Sequence, residues 1–85
     1  MAETQVGLIT RYFGKIGVAA AKVVNGELKV GDRIRIKGST TDIEQMVESM
    51  QLDGDAVTEA LPGQEVGIKV ADKVRTGDGV FIVEE

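Results

Sequence analysis

The residues best suited to chemistry in this sequence are cations repeated at a spacing of two. In Arg33-Ile34-Arg35-Ile36-Lys37 basic residues alternate with isoleucines. Successive side chains of an extended chain point to opposite faces, so a strand here buries Ile34 and Ile36 and lines Arg33, Arg35 and Lys37 along its outer face. A second group, Arg11-Tyr12-Phe13-Gly14-Lys15, sets two aromatic residues between two cations. Cations interleaved with rings suit phosphate neutralisation and base stacking, as on single-strand nucleic-acid platforms. The candidate binding surface is therefore Arg11, Tyr12, Lys15, Arg33, Arg35 and Lys37. The competing reading is structural: Phe13 or Tyr12 fills a barrel mouth, and the cations pair with the acidic second half of the chain.

Catalytic chemistry is poorly provided for. The 85 residues include neither His nor Cys, which removes the commonest general base, the commonest thiol nucleophile and most zinc-ligand sets. Ser39 near Lys37 is a conceivable Lys-activated hydroxyl, and Glu44 with Glu48 a conceivable acid/base pair, but no flanking residue poises either. Asp53-Gly54-Asp55 offers two hard oxygen ligands on a turn without the rest of a calcium-binding loop. Gly14-Lys15-Ile16-Gly17 has the form of a GxxG clamp, yet strand-like rather than helical segments flank it. No P-loop occurs, and Gly77-Asp78-Gly79 lacks the third glycine and the helix of a dinucleotide fingerprint. The expectation is a chain that is not an enzyme, with no catalytic residue, no cofactor and no metal.

Charge is unevenly laid out. The net charge is −4, but residues 1–42 hold seven basic and four acidic groups, whereas residues 43–85 hold three and ten. An acidic total argues against a strong non-specific grip on nucleic acid, and the bipolar layout leaves the basic half as the surface to test. Met1-Ala2-Glu3-Thr4-Gln5 lacks the basic and apolar regions of a signal peptide, and no apolar run approaches the roughly 20 residues of a membrane span. A cytoplasmic protein with no membrane contact is expected.

These residues must be positioned by short strands. Eleven glycines and one proline are spread through the chain, and between them lie strand-length apolar runs at residues 6–10, 16–24, 33–37, 66–70 and 80–83. Asn25-Gly26 suits a type I′ turn, and Leu61-Pro62-Gly63-Gln64 a type II turn. Residues 42–51 read two ways. Ile43, Met46, Val47 and Met50 share a helical face, with Thr41 and Glu44 as a capping box, whereas the surroundings are strand-like throughout.

Three motifs in order, Gly26-Glu27-Leu28-Lys29-Val30-Gly31-Asp32-Arg33-Ile34, Leu61-Pro62-Gly63-Gln64-Glu65-Val66-Gly67 and Arg75-Thr76-Gly77-Asp78-Gly79-Val80, resemble the second domain of translational GTPases such as elongation factor Tu and initiation factor two. The resemblance covers most of the chain. It implies a strand where residues 42–51 read locally as helix, and a single all-β domain over residues 1–85: a small closed β-barrel of about six to seven strands. Its core would hold Val6, Leu8, Val18, Ala20, Ile34, Ile36, Val66, Ile68, Val80 and Ile82. A similar barrel is also appended to some collagenase-like peptidases, so the module occurs without a GTPase. The resemblance implies a binding module contacting RNA, the ribosome or an acidic protein partner through the basic face; a protein-interaction or regulatory adaptor with no RNA ligand is the alternative.

Overall fold

A computed structural model describes residues 2–84, and strands joined by turns and loops account for all of them. The strands are β1 (Ala2–Phe13), β2 (Val18–Val23), β3 (Leu28–Lys29), β4 (Arg33–Lys37), β5 (Asp42–Met46), β6 (Met50–Leu52), β7 (Asp55–Val57), β8 (Glu59–Ala60), β9 (Glu65–Lys69) and β10 (Gly79–Glu84). Eight of them form one antiparallel sheet in the order β5-β4-β10-β1-β2-β9-β6-β7, while β3 and β8 pair with each other.

The sheet is not closed into a barrel, which corrects the expected closed barrel of six to seven strands. The reason lies in residues 42–52. This segment leaves one end of the strand order as β5, paired with β4, and joins the other end as β6, paired with β9. Between them, at Val47–Ser49, it leaves the ladder: the Val47 N–H donates to the Asp32 carbonyl at 2.9 Å, and the Gly31 N–H to the Val47 carbonyl at 2.8 Å. The gap is bridged by a side chain. Gln45 Nε2 donates to the Lys69 carbonyl at 2.8 Å, and Gln45 Oε1 accepts from the Ala71 N–H at 2.7 Å. An amide side chain presents the same donor and acceptor as a peptide group, so Gln45 replaces a missing rung.

The strand reading of residues 42–51 holds for β5 and for the start of β6, and the helix that local spacing allowed does not form. Five ladder pairs with β4 satisfy this backbone, and tertiary pairing overrides propensity.

The core holds Val6 and Ile9 of β1, Ala19, Ala21 and Val23 of β2, Ile34 and Ile36 of β4, Val66 and Ile68 of β9 and Val80 of β10, with Ile82 half-buried against it. Leu8 and Val18, expected inside, are only half-buried, whereas Ala20 is buried as expected. Two bulges in β1 are responsible for its shift. Gln5 and Gly7 oppose consecutive residues of β10, and Ile9 and Arg11 consecutive residues of β2, so Val6 and Thr10 are extra. Each extra residue inverts the alternation beyond it. Ile9 therefore faces inward in place of Leu8, and β2 buries Ala19, Ala20, Ala21 and Val23. At the first bulge the strands approach closely: a Cβ on Gly7 would strike the Lys22 carbonyl oxygen.

The turn at residues 61–64 forms as expected, with Gly63 at φ 90° and the Gln64 N–H donating to the Leu61 carbonyl at 3.1 Å. The type I′ turn expected at Asn25-Gly26 does not, because only Gly26 has positive φ there. β2 and β3 are not partners, so no hairpin is closed at that point. That turn chemistry appears instead at Asp53 (φ 52°) and Gly54 (φ 84°), which close the β6–β7 hairpin.

Candidate functional site

On β4, Ile34 and Ile36 are fully buried and the three cations point outward. They meet carboxylates there. Arg35 donates to Asp42 from Nε at 2.7 Å and from Nη2 at 2.8 Å, and to Glu3 from Nη1 at 2.9 Å. Arg33 lies 3.4 Å from Glu44. Hydrogen bonds from Arg35 hold the Asp42 carboxyl below its ordinary range, with the charges of Arg35 and Lys37 adding to the effect against a smaller desolvation. The same hydrogen bonds to Asp42 and Glu3 push the Arg35 guanidinium further up. Of the three carboxylates, only Glu44 belongs to the acidic half of the sequence.

The other basic group lies elsewhere on the molecule. Beyond the Thr10 bulge, Arg11 points outward opposite Ala20, while Tyr12 opposes Ala19 and packs against the core. Lys15 is exposed at the tip of the β1–β2 hairpin. Phe13 and Ile16 of this hairpin are 43% and 69% exposed, a high fraction for large apolar side chains. They flank an open groove of about 500 Å³.

The groove follows from strand register. Arg11 pairs with Ala20, Ala20 with Gly67 and Gly67 with Gln51, so one outward row crosses four strands. Long side chains stand at both ends of the row and small ones in the middle, which makes a trough. The Asp53-Gly54 turn raises the far wall. Glu65 closes one side, its Oε2 accepting from the Thr10 hydroxyl at 2.6 Å. Among the described residues, Arg11 and Asp53 make no side-chain hydrogen bond or ion pair.

The candidate surface thus separates into two parts. Arg33, Arg35 and Lys37 share the outer face of β4, Arg11 lines the groove with Lys15 on the adjoining hairpin, and Tyr12 is turned to the core. Sequence reasoning did not place Ile16, Gln51, Asp53 or Glu65 in a site. Ile16 carried a usable signal, since an isoleucine in a glycine-flanked turn has no local core to enter. The others converge only through register.

The family model described as elongation factor Tu domain 2 matches residues 17–81. The chain belongs to that family. Within the elongation factor Tu domain 2 family, its curated relatives include a collagenase of Porphyromonas gingivalis, 40% identical over 93% of this chain and 22% of that protein. Another is an uncharacterized protease of Methanocaldococcus jannaschii, 37% identical over 98% of this chain and 20% of that protein. The chain spans about a fifth of the length of the curated relatives it matches. Among solved structures, the C-terminal domain of a Geobacillus thermoleovorans protein assigned to the U32 peptidases superposes with a TM-score of 0.83 at 22% identity, over 89% of this chain and 95% of that one.

These names correct the expectation of a chain that is not an enzyme: relatives called collagenase and protease point to a peptidase-associated domain of the elongation factor Tu domain 2 family. That expectation rested on the lack of His and Cys. Their absence from 85 residues says nothing about catalytic groups carried by the remaining four fifths or so of proteins such as these relatives.

Proposed function

We propose that this chain is an accessory domain of a U32-type peptidase and that it grips polypeptide in the groove between the β1–β2 and β6–β7 hairpins. The observation that carries this reading is the groove itself, where Phe13 and Ile16 stand exposed above a floor of small residues. Covering such side chains is favourable by about 1.5–3 kcal/mol for each one fully buried. The names of the relatives support a protein substrate, and the carboxylates around Arg33 and Arg35 favour polypeptide over RNA as the occupant.

Gelatin, denatured collagen, is the natural probe because two of the relatives are called collagenase. Fluorescence anisotropy of labelled gelatin fragments should report saturable binding. Ile16→Asp should weaken it about tenfold while leaving the thermal melt unchanged, since Ile16 is 69% exposed. Gelatin binding that ignores Ile16→Asp, or tRNA binding that gelatin does not displace, would overturn the proposal.

A further inference from the structure

Resting on that reading, we infer that Arg11 is a carboxylate receptor: the groove takes a polypeptide segment whose large apolar side chain sits beside a carboxylate. The row Arg11–Ala20–Gly67–Gln51 spans three inter-strand gaps, about 14 Å, or roughly four residues of extended chain. Phe13 and Ile16 lie at the Arg11 side of this row, so an apolar side chain seated against them brings its neighbour to the guanidinium.

Charge complementarity sets the class of that neighbour. Arg33 and Arg35 are engaged by Glu44, Asp42 and Glu3, whereas Arg11 makes no side-chain ion pair among the described residues. The two carboxylates lining the groove leave it unopposed. Glu65 accepts from the Thr10 hydroxyl and stands opposite Lys22 in the β2–β9 ladder. Asp53 sits on the β6–β7 turn, at the far end of the row. A guanidinium offers a planar fork of donors that a carboxylate fills in a bidentate manner, which an amide cannot match. Lys15, exposed on the same hairpin, adds to the positive potential at this end. The carboxylate has two sources, an Asp or Glu side chain or the C-terminus of a chain, and the chemistry at Arg11 is the same for both.

The experiment uses labelled peptides on one Gly/Ser background, read by anisotropy against the wild-type chain, Arg11→Gln, Arg11→Glu and Ile16→Asp. Three peptides are amide-capped and carry Leu-Glu, Leu-Gln or Leu-Lys; a fourth ends in Leu with a free carboxylate. The wild type should bind Leu-Glu or the free-ended peptide about fivefold more tightly than Leu-Gln, and which of the two is tighter identifies the source. Added salt should erode this advantage. Arg11→Gln should abolish it, and Arg11→Glu should reverse it in favour of Leu-Lys. Equal binding of the three capped peptides together with the free-ended one, or a preference for carboxylate that survives Arg11→Glu, overturns the assignment. If Ile16→Asp still weakens every peptide in that case, the groove remains a polypeptide site and only the role of Arg11 falls. If no peptide binds, or Ile16→Asp changes nothing, both readings fall.

Discussion

Arg35 ties together three strands, two consecutive in sequence and the third 32 residues away. From β4 it holds Asp42 of β5 and reaches across β10 to Glu3 of β1. Because Asp42 has a folded-state value below the roughly 3.9 of a free aspartate, its contribution to stability is present above that unfolded value. It is lost as pH falls through the folded one. Arg35→Gln should therefore lower the urea midpoint near neutral pH, and the gap from wild type should close as pH is taken below about 4. A gap of constant size down to pH 2 or so would exclude this coupling. The outward placement of Arg33, Arg35 and Lys37 was legible in the sequence because β4 runs in register with both β10 and β5. Their carboxylate partners were not: Glu3 lies 32 residues from Arg35 and comes near only once β10 and β1 have paired.

At the level of strands, period-two reading succeeds where ladders are uninterrupted and fails beyond a bulge. β4 and β9 show it working, each burying two apolar residues at alternate positions. β1 shows it failing between its two bulges, because the extra residue at Val6 moves Leu8 off the core; the second, at Thr10, restores the alternation, so Arg11 points outward as in an uninterrupted strand. Such an insertion depends on the strand opposite, so it leaves no mark in local composition. The groove was no easier to read, since its floor takes Val18, a residue that alternation assigned to the core, beside the buried Ala20. Segment 42–52 presents a related case. Its helical spacing was real, but a strand that must reach from β4 to β9 has no room for a helix, and Gln45 covers the interruption. Gln45→Ala removes the two hydrogen bonds with Lys69 and Ala71, besides a longer one to the Met46 carbonyl, and should cost about 1–2 kcal/mol. Hydrogen exchange should locate the loss at the Ala71 amide, whose protection falls more than that of amides in the β4–β10 ladder. Unchanged protection at Ala71 would mean that Gln45 does not hold the gap.

Across the whole molecule, the last strand occupies the middle of the sheet. β10 lies between β4 and β1, and those two pairings join the β4–β5 side to the rest. Deleting residues 79–84 should therefore abolish the cooperative thermal transition and collapse amide dispersion in NMR spectra, rather than merely fray one end. A truncated chain that still melts cooperatively would show that the remaining strands hold together unaided. The same arrangement puts most of the pairing at long sequence separation, as expected of a domain that folds in milliseconds to seconds. The pairing of Ala2 with Glu84 also has a mechanical meaning. Strands β1 and β10 run antiparallel and their outer ends lie together, so tension applied through the two ends of the domain loads this ladder one rung at a time, beginning at Ala2 and Glu84. The domain is built to unzip rather than to shear, which makes it compliant along the line joining its ends while the groove, on the far side of β1, stays unstressed until that ladder has parted.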